Sequence, residues 1–375
     1  MLNNPKRILI SAGGTGGHVF PGLALAAALA ARGYDIHWMG TATGIESRLV
    51  IEAGIPLHLV SVQGVRGKGV VALLTSPFNI VRAIVQAVKI VIKVRPGLVV
   101  GLGGFVAAPA GFAAKLTRIP LVIHEQNAVA GTTNRLLAAF ANAVLTAFPN
   151  VLEKGLCIGN PVRKEFFEPR SARNVFDGSA EQALKVVVVG GSRGAKAVNH
   201  LVADSIGIMG ETREKMAVYH QTGEKLFDEA MAHYRQVGLS VREAGEGYPS
   251  KGHIIVAPFI RDMAECLAWA DVVICRAGAL TISELAASGV GSVLVPFPFA
   301  IDDHQTVNGQ YLVAEQAAVI FQQQELTPAK LTQLLNEFID NPRTLVDMGR
   351  RARASAKPHA VTEFADCCET LFRET

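Results

Sequence analysis

The residues best placed to do chemistry sit beside glycines. Gly13-Gly14-Thr15-Gly16-Gly17-His18 puts a histidine at the start of a helix, against backbone that a ligand can approach closely because glycine has no Cβ. An imidazole titrates near neutrality, so His18 can serve as a general base. The plainer alternative, a loop histidine with no proton to take, stays open on these residues alone. Arg276-Ala277-Gly278-Ala279-Leu280-Thr281-Ile282-Ser283-Glu284 follows an apolar strand and opens a helix near Ala279. The first free N–H groups of that helix, at the positive end of its dipole, form a seat for phosphate. Arg276 adds a charged fork, and Glu284, about one turn on, can accept from a sugar hydroxyl. The bland alternative is a strand–turn–helix unit with a surface Arg and Glu.

Three further stretches carry polar groups at strand ends. Gly190-Gly191-Ser192-Arg193-Gly194-Ala195 echoes the first loop, and Ser192 can donate to a phosphate there, while Arg193 adds charge or is simply solvated. His124-Glu125-Gln126-Asn127 ends an apolar run on the edge where such sheets bind ligands. Asp302-Asp303-His304-Gln305-Thr306 joins carboxylates to a histidine, but no further ligands are spaced for a metal cage. A polar loop that touches a ligand is the better reading. Neither glycine loop matches the dinucleotide GxGxxG spacing, which argues against an oxidoreductase.

These residues need strands that deliver them and helices that start where they end. Apolar runs predict strands over residues 6–11, 35–40, 56–62, 98–101 and 121–125. A second set falls at 185–189, 217–221, 254–257, 271–275 and 292–295. Helical patterns lie between them, including 44–53 and a long one opening at Ser76-Pro77, with Ser as cap and Pro in the first turn. The tail from 326 on is helical, broken at Asn341-Pro342. Alternation of this kind predicts two parallel, doubly wound α/β sheets in tandem. Gly159-Asn160-Pro161-Val162-Arg163 reads as the junction between them.

A chain of 375 residues, half of them hydrophobic, suits two domains with sizeable cores, and 36 glycines suit many tight strand-to-helix turns. The net charge of +4 is compatible with anionic substrates or membrane surfaces. Five scattered cysteines without CxxC spacing read as reduced thiols in a cytoplasmic protein. The N-terminus has no secretory apolar core, and the uncharged stretch 96–114 is too rich in glycine to be a spanning helix.

The motifs GGTGGH, GLGGF, HEQN, GNPVR, GGSRGA, RAGALTISE and DDHQTVN occur in that order along almost the whole chain. Together they resemble the bacterial glycosyltransferases of family 28 that build peptidoglycan. The resemblance implies a GT-B fold, two Rossmann-like domains with parallel doubly wound sheets facing across a cleft. It implies an acceptor- and membrane-facing domain over 1–161, with 342–375 packing back on it, and a donor domain over 162–341. The implied reaction is inverting transfer of N-acetylglucosamine from UDP-N-acetylglucosamine to the 4-hydroxyl of lipid-linked muramyl-pentapeptide, with no cofactor and no metal.

The resemblance also assigns roles. Thr15, Gly16 and Gly17 line the donor sugar and diphosphate, and His18 is the candidate base, with Glu125 the second candidate. Asn127 faces the sugar, Arg163 and Ser192 reach the nucleotide, and Ile260 sets backbone groups against uracil. Arg276 and the run Ala279, Leu280, Thr281, Ile282, Ser283 and Glu284 hold diphosphate and ribose, and Gln305 contacts sugar hydroxyls. Arg193, Ala277, Phe105 and Phe299 stand where the family more often has Gln, Ser, Tyr and His. Partners implied are an anionic membrane surface and other cell-wall synthesis proteins, with no nucleic acid. The place implied is the cytoplasmic face of the bacterial inner membrane, held peripherally. The membrane element expected is the segment 65–95, with Leu73, Leu74 and Phe78 dipping into lipid and Arg82 and Lys89 on its basic rim. A UDP-sugar epimerase, or a nucleotide-sugar sensor without turnover, is the rival reading.

Overall fold

The computed structural model describes residues 6–62, 70–168, 176–191 and 194–373, with side chains for all of these but 70–77 and 301. It divides into two compact units, Met1–Arg163 with Lys357–Thr375, and Lys164–Ala356.

The first unit is built on a parallel sheet of seven strands: β1 (Arg7–Ser11), β2 (Asp35–Gly40), β3 (Leu57–Leu59), β4 (Leu98–Gly101), β5 (Leu121–Glu125), β6 (Ala143–Thr146) and β7 (Leu156–Cys157). Their spatial order is β3-β2-β1-β4-β5-β6-β7. The strands are apolar throughout because both faces are covered. Alternate residues of β1 show this: Ile8 and Ile10 join one core, Leu9 the other. The Ile8 face is covered by the helices Gly16–Ala31 and Ala360–Arg373, whose Leu25, Leu29, Phe364 and Cys368 are buried in it. The Leu9 face is covered by the helices Val70–Val94 and Gly104–Thr117 through Ala83, Ala87, Val91 and Ala110.

The second unit repeats the plan with β8 (Leu184–Val189), β9 (Met216–Gln221), β10 (Arg242–Glu243), β11 (Ile254–Ala257), β12 (Val272–Cys275), β13 (Gly291–Leu294) and β14 (Ala318–Ile320). The order is β10-β11-β9-β8-β12-β13-β14, again parallel between neighbours. Its core gathers Val186, Val188, Val218, Ile274 and Val293 with Leu331, Leu335 and Phe338 of the helix Pro328–Asp340.

The strand expected over 56–62 is confined to Leu57–Leu59, and two larger differences concern helices. The long helix runs Val70–Val94, so Ser76 and Pro77 fall within it rather than at its start. Good helix formers, Ala72 to Leu74, precede them and extend the helical run. The tail beyond 342 is also divided. The helix Arg343–Ala354 sets Leu345 and Met348, three apart, into the second unit's core. The chain rejoins the first unit only at Lys357.

In each sheet the order reverses beside the first strand: between β1 and β4, and between β8 and β12. At such a switch point the loops leaving the carboxyl ends diverge and open a crevice for a ligand. Ser11 is level with Gly101 there, and Cys275 with Val189. Every glycine-rich stretch singled out in the sequence leaves one of these four strand ends.

Candidate active site

In the first unit the loop after β1 is fixed from beneath before it reaches His18. The indole N–H of buried Trp38 donates to the Ala12 carbonyl at 2.9 Å. The carboxylate of Glu46, also fully buried, accepts from the Gly14 N–H at 3.1 Å, the Thr41 N–H at 2.9 Å and the Thr41 hydroxyl at 2.7 Å. Gly13 leaves room for it: a Cβ there would lie 2.5 Å from Glu46 Oε1. The loop after β4 crosses over the first at backbone distance. Gly104 has φ +73°, and a Cβ on it would lie 2.6 Å from the Gly13 carbonyl oxygen.

His18 stands in the first turn of the helix Gly16–Ala31, half-buried, with Thr15 exposed at the N-cap. Its Nδ1 lies 2.8 Å from Gln126 Oε1. Gln126 Nε2 lies 3.1 Å from both the Nδ1 and the carbonyl oxygen of His124. His124 Nε2 lies 2.9 Å from the Gly159 carbonyl oxygen, and its ring stacks on Phe364 with centroids 5.2 Å apart. Burial pushes His124 down to about 4, so the ring is neutral.

Glu125, one residue from both, is engaged differently. Its Oε1 accepts from the Asn127 N–H at 2.9 Å and side-chain amide at 3.3 Å. Its Oε2 accepts from the Gly131 N–H at 3.0 Å and the Asn134 amide at 2.8 Å. The structure thus gathers Thr15, Gly16, Gly17, His18, Glu125 and Asn127 at the carboxyl ends of β1 and β5. Arg163 is exposed at the last residue before the second unit.

In the second unit the helix Ala279–Ser288 begins directly behind β12. Its N-cap is Gly278, in extended conformation, and no side chain caps it. The preceding loop is held by Asn308, which donates to the Ala277 carbonyl at 3.3 Å. Arg276 is spent largely on its own scaffold. Its Nη1 donates to the carbonyls of Val295 and Pro296 at 3.1 and 3.0 Å, and Nη2 to Gln323 at 2.7 Å. Three of its five N–H groups are therefore engaged, two fastening the segment after β13 and one the segment after β14, where the sequence reading had offered the fork to a ligand. Desolvation lowers its pKa, as befits a cation that is partly buried.

Leu280, Thr281, Ser283 and Glu284 are half-buried along this helix, and Ile282 faces the core. Ser283 donates back to the Ala279 carbonyl at 3.1 Å. Burial, then the nearby charge of Glu284, pushes the Cys275 thiol up to about 12. Ile260 is buried and its N–H donates to Gln221 Oε1 at 2.9 Å. Gln221 also donates to the Gly191 carbonyl at 3.2 Å and so ties the two loops together. Gln305 accepts from the Phe297 N–H at 2.9 Å. Asp302 and Asp303 take left-handed backbone conformations, and Asp303 accepts from the Thr306 hydroxyl at 2.7 Å. Ser192 and Arg193 lie outside the described residues.

Trp38, Glu46, Gln126, Asn134 and Gln221 are the supporting residues that sequence reasoning missed. The partners of Trp38, Gln126 and Gln221 include residues 26, 108 and 39 positions away, and only Gln126, inside HEQN, gave any signal.

Two parallel sheets of Rossmann type in one chain, with glycine loops at both switch points and a helix behind β12 whose N-terminus no side chain caps, define a GT-B fold. The chain belongs to glycosyltransferase family 28: the family's N-terminal domain matches residues 8–146 and its C-terminal domain residues 185–364. A relative from Saccharophagus degradans is 46% identical over all of this chain and 94% of its own length. That relative is named UDP-N-acetylglucosamine–N-acetylmuramyl-(pentapeptide) pyrophosphoryl-undecaprenol N-acetylglucosamine transferase. The crystal structure of MurG from Acinetobacter baumannii is 36% identical and superposes with a TM-score of 0.77, covering 98% of this chain and 100% of that one. A UDP-N-acetylglucosamine 2-epimerase from Neisseria meningitidis shares the fold at a TM-score of 0.66 and 10% identity, with 97% and 100% coverage. Fold alone therefore does not separate transferase from epimerase; the sequence likeness does.

Proposed function

We propose that this chain transfers N-acetylglucosamine from UDP-N-acetylglucosamine to the 4-hydroxyl of undecaprenyl-diphospho-N-acetylmuramyl-pentapeptide, with inversion at the anomeric carbon. One observation carries this reading: the 46% identity, end to end, with a relative named for that transfer. The acceptor oxygen attacks C1, its proton passes to His18, and the bond from C1 to the diphosphate breaks with its electron pair leaving on UDP. Four N–H donors already fill the oxygens of Glu125, which supports His18 as the base and leaves Glu125 a positioning role.

Thr15, Gly16, Gly17 and Asn127 line the sugar in this reading. Ala279 to Glu284 take the diphosphate and ribose, with the uncapped helix N-terminus carrying most of the negative charge because Arg276 is tethered. Arg163 and Ser192 reach the nucleotide, the Ile260 carbonyl faces uracil, and Gln305 turns its amide to sugar hydroxyls. The chemistry needs no cofactor. Docking on the cytoplasmic face of the inner membrane goes through the helix Val70–Val94. Its Phe78, Val81, Val85 and Ile92 are exposed beside exposed Arg82 and Lys89; Leu73 and Leu74 belong to the same segment, but their side chains lie outside those described. Among the described residues, no helix is long and apolar enough to cross a membrane.

A mass assay with UDP-N-acetylglucosamine and lipid-linked acceptor tests the reading. The expected result is UDP together with an acceptor heavier by one N-acetylhexosamine. Donor epimerised or hydrolysed, with acceptor unchanged, would sink it.

A further inference from the structure

We propose that Gln126 and His124 are positioning residues that hold His18 in the tautomer protonated at Nδ1, so that its bare nitrogen is always Nε2. The chain of hydrogen bonds starts from a group with no choice. The Gly159 carbonyl can only accept, so His124 Nε2, 2.9 Å away, carries a hydrogen. A neutral imidazole has one N–H, so His124 Nδ1 is then a bare acceptor. Burial to about 4 keeps the ring neutral across the working range of pH.

Gln126 is the next link. The nitrogen of its amide faces two acceptors at 3.1 Å, His124 Nδ1 and the His124 carbonyl oxygen, and has a hydrogen for each. Turned over, the amide would set its oxygen against both acceptors; the carbonyl would keep the Asn134 amide at 3.1 Å, but the buried His124 Nδ1 would be left without a donor, so the orientation is fixed. Gln126 Oε1 therefore points to His18 and can only accept, which puts the hydrogen of that 2.8 Å bond on His18 Nδ1. The lone pair of neutral His18 is left on Nε2.

The scaffold holds every member in place. His124 lies flat on Phe364, and Gly103 gives His18 its seat: a Cβ at 103 would stand 3.1 Å from His18 Cε1 and 3.2 Å from Nδ1. Gly103 has φ +88°, a conformation that side chains rarely adopt. A neutral amide orients the base without adding a negative charge near a site that must hold a diphosphate. When the acceptor's proton arrives on Nε2, the imidazolium keeps its Nδ1–H bond to Gln126, so no group has to reorient during the transfer. The consequence for rate rests on His18 being the base; the tautomer itself does not.

The full-length chain labelled with ¹⁵N-histidine gives the test. The His18 resonances are assigned by their loss in His18→Asn, and their shifts tell which ring nitrogen carries hydrogen. At neutral pH the wild-type spectrum should show His18 protonated at Nδ1 and bare at Nε2. In Gln126→Leu the ring should become a mixture of tautomers, with kcat down about tenfold, the scale of one hydrogen bond acting on that equilibrium, and KM for UDP-N-acetylglucosamine unchanged. A wild-type His18 protonated at Nε2 overturns the proposal without any variant, and so does a folded Gln126→Leu with an unshifted tautomer. Wild-type enzyme that shows the expected tautomer but does not glycosylate the lipid acceptor would overturn the proposed reaction instead.

Discussion

A carboxylate has about four places to accept a hydrogen bond, and Glu125 has a donor at each. His18 presents a half-exposed ring fixed through one nitrogen. The two therefore respond to substitution in opposite ways. His18→Ala should cut turnover by about 10²–10⁴ and leave UDP affinity and the urea midpoint alone. Glu125→Gln points an NH₂ at N–H groups that need an acceptor. It should cost about 1–3 kcal/mol, read as a lower urea midpoint. If turnover survives His18→Ala and collapses in a fully stable Glu125→Gln, the base is Glu125. Two buried histidines give a pH dependence of stability. Burial holds His124 at about 4 and His220 at about 3, against 6.5 when exposed. Below 6.5 the unfolded chain takes up protons that the folded chain refuses, so stability is full above that value and is lost as the pH falls towards 4. At roughly pH 5 each histidine should cost about 2 kcal/mol. Equal urea midpoints at roughly pH 7 and 5 would show that these rings are protonated in place.

At the scale of elements, most of the described candidate residues are at a strand's carboxyl end or in a helix's first turns, and this is where the sequence was most readable. Buried parallel strands are near-continuous apolar runs, so β1, β4, β5, β8 and β12 can be seen, as can the glycines that must follow them. The edge strands β7, β10 and β14 were not seen, since two or three residues show no period. The support beneath the loops was hidden for another reason. Gln126 meets His18 from 108 positions away and Gln221 meets Ile260 from 39, and a polar residue in a sequence does not declare whether it faces substrate or another loop. Arg276 is the case in point: its place beside the phosphate-type helix was readable, its commitment to Val295 and Pro296 was not. The helix Ala279–Ser288 makes a prediction of its own. Glu284 sits half-buried in its second turn, and in the proposed reading it accepts from ribose hydroxyls. Glu284→Ala should then lose roughly 1.5–3 kcal/mol of UDP binding, about 10- to 150-fold by calorimetry, with the fold intact. Unchanged affinity would take Glu284 out of the site.

For the molecule as a whole, the question is how a chain whose described helices do not span a membrane meets an acceptor anchored in one. In the proposed reading the helix Val70–Val94 answers with its outward face. Ala83, Ala87 and Val91 are buried against the sheet. On the opposite side Phe78 is 74% exposed, Val81 59%, Val85 48% and Ile92 61%. These positions recur every three, four and seven residues, which makes one stripe rather than scattered exposure. Arg82, Lys89 and Lys93 are exposed alongside it. A helix that merely covered a sheet would turn polar residues to water; an apolar stripe edged with cations is what the boundary between anionic headgroups and acyl chains accepts. Each cation near that surface adds on the order of 1 kcal/mol, and salt screens it. Phe78, Val81 and Val85 are already exposed, so replacing all three with Ser should leave the fold intact. Burying such side chains in lipid is worth roughly 1.5–3 kcal/mol apiece, so the triple variant should bind anionic vesicles at least about 100-fold more weakly. Its turnover should fall on acceptor embedded in vesicles and hold on a short-chain soluble acceptor. Raising the salt should weaken the wild type in the same assay. Co-sedimentation that survives both the triple substitution and salt would mean that another surface of the protein meets the membrane.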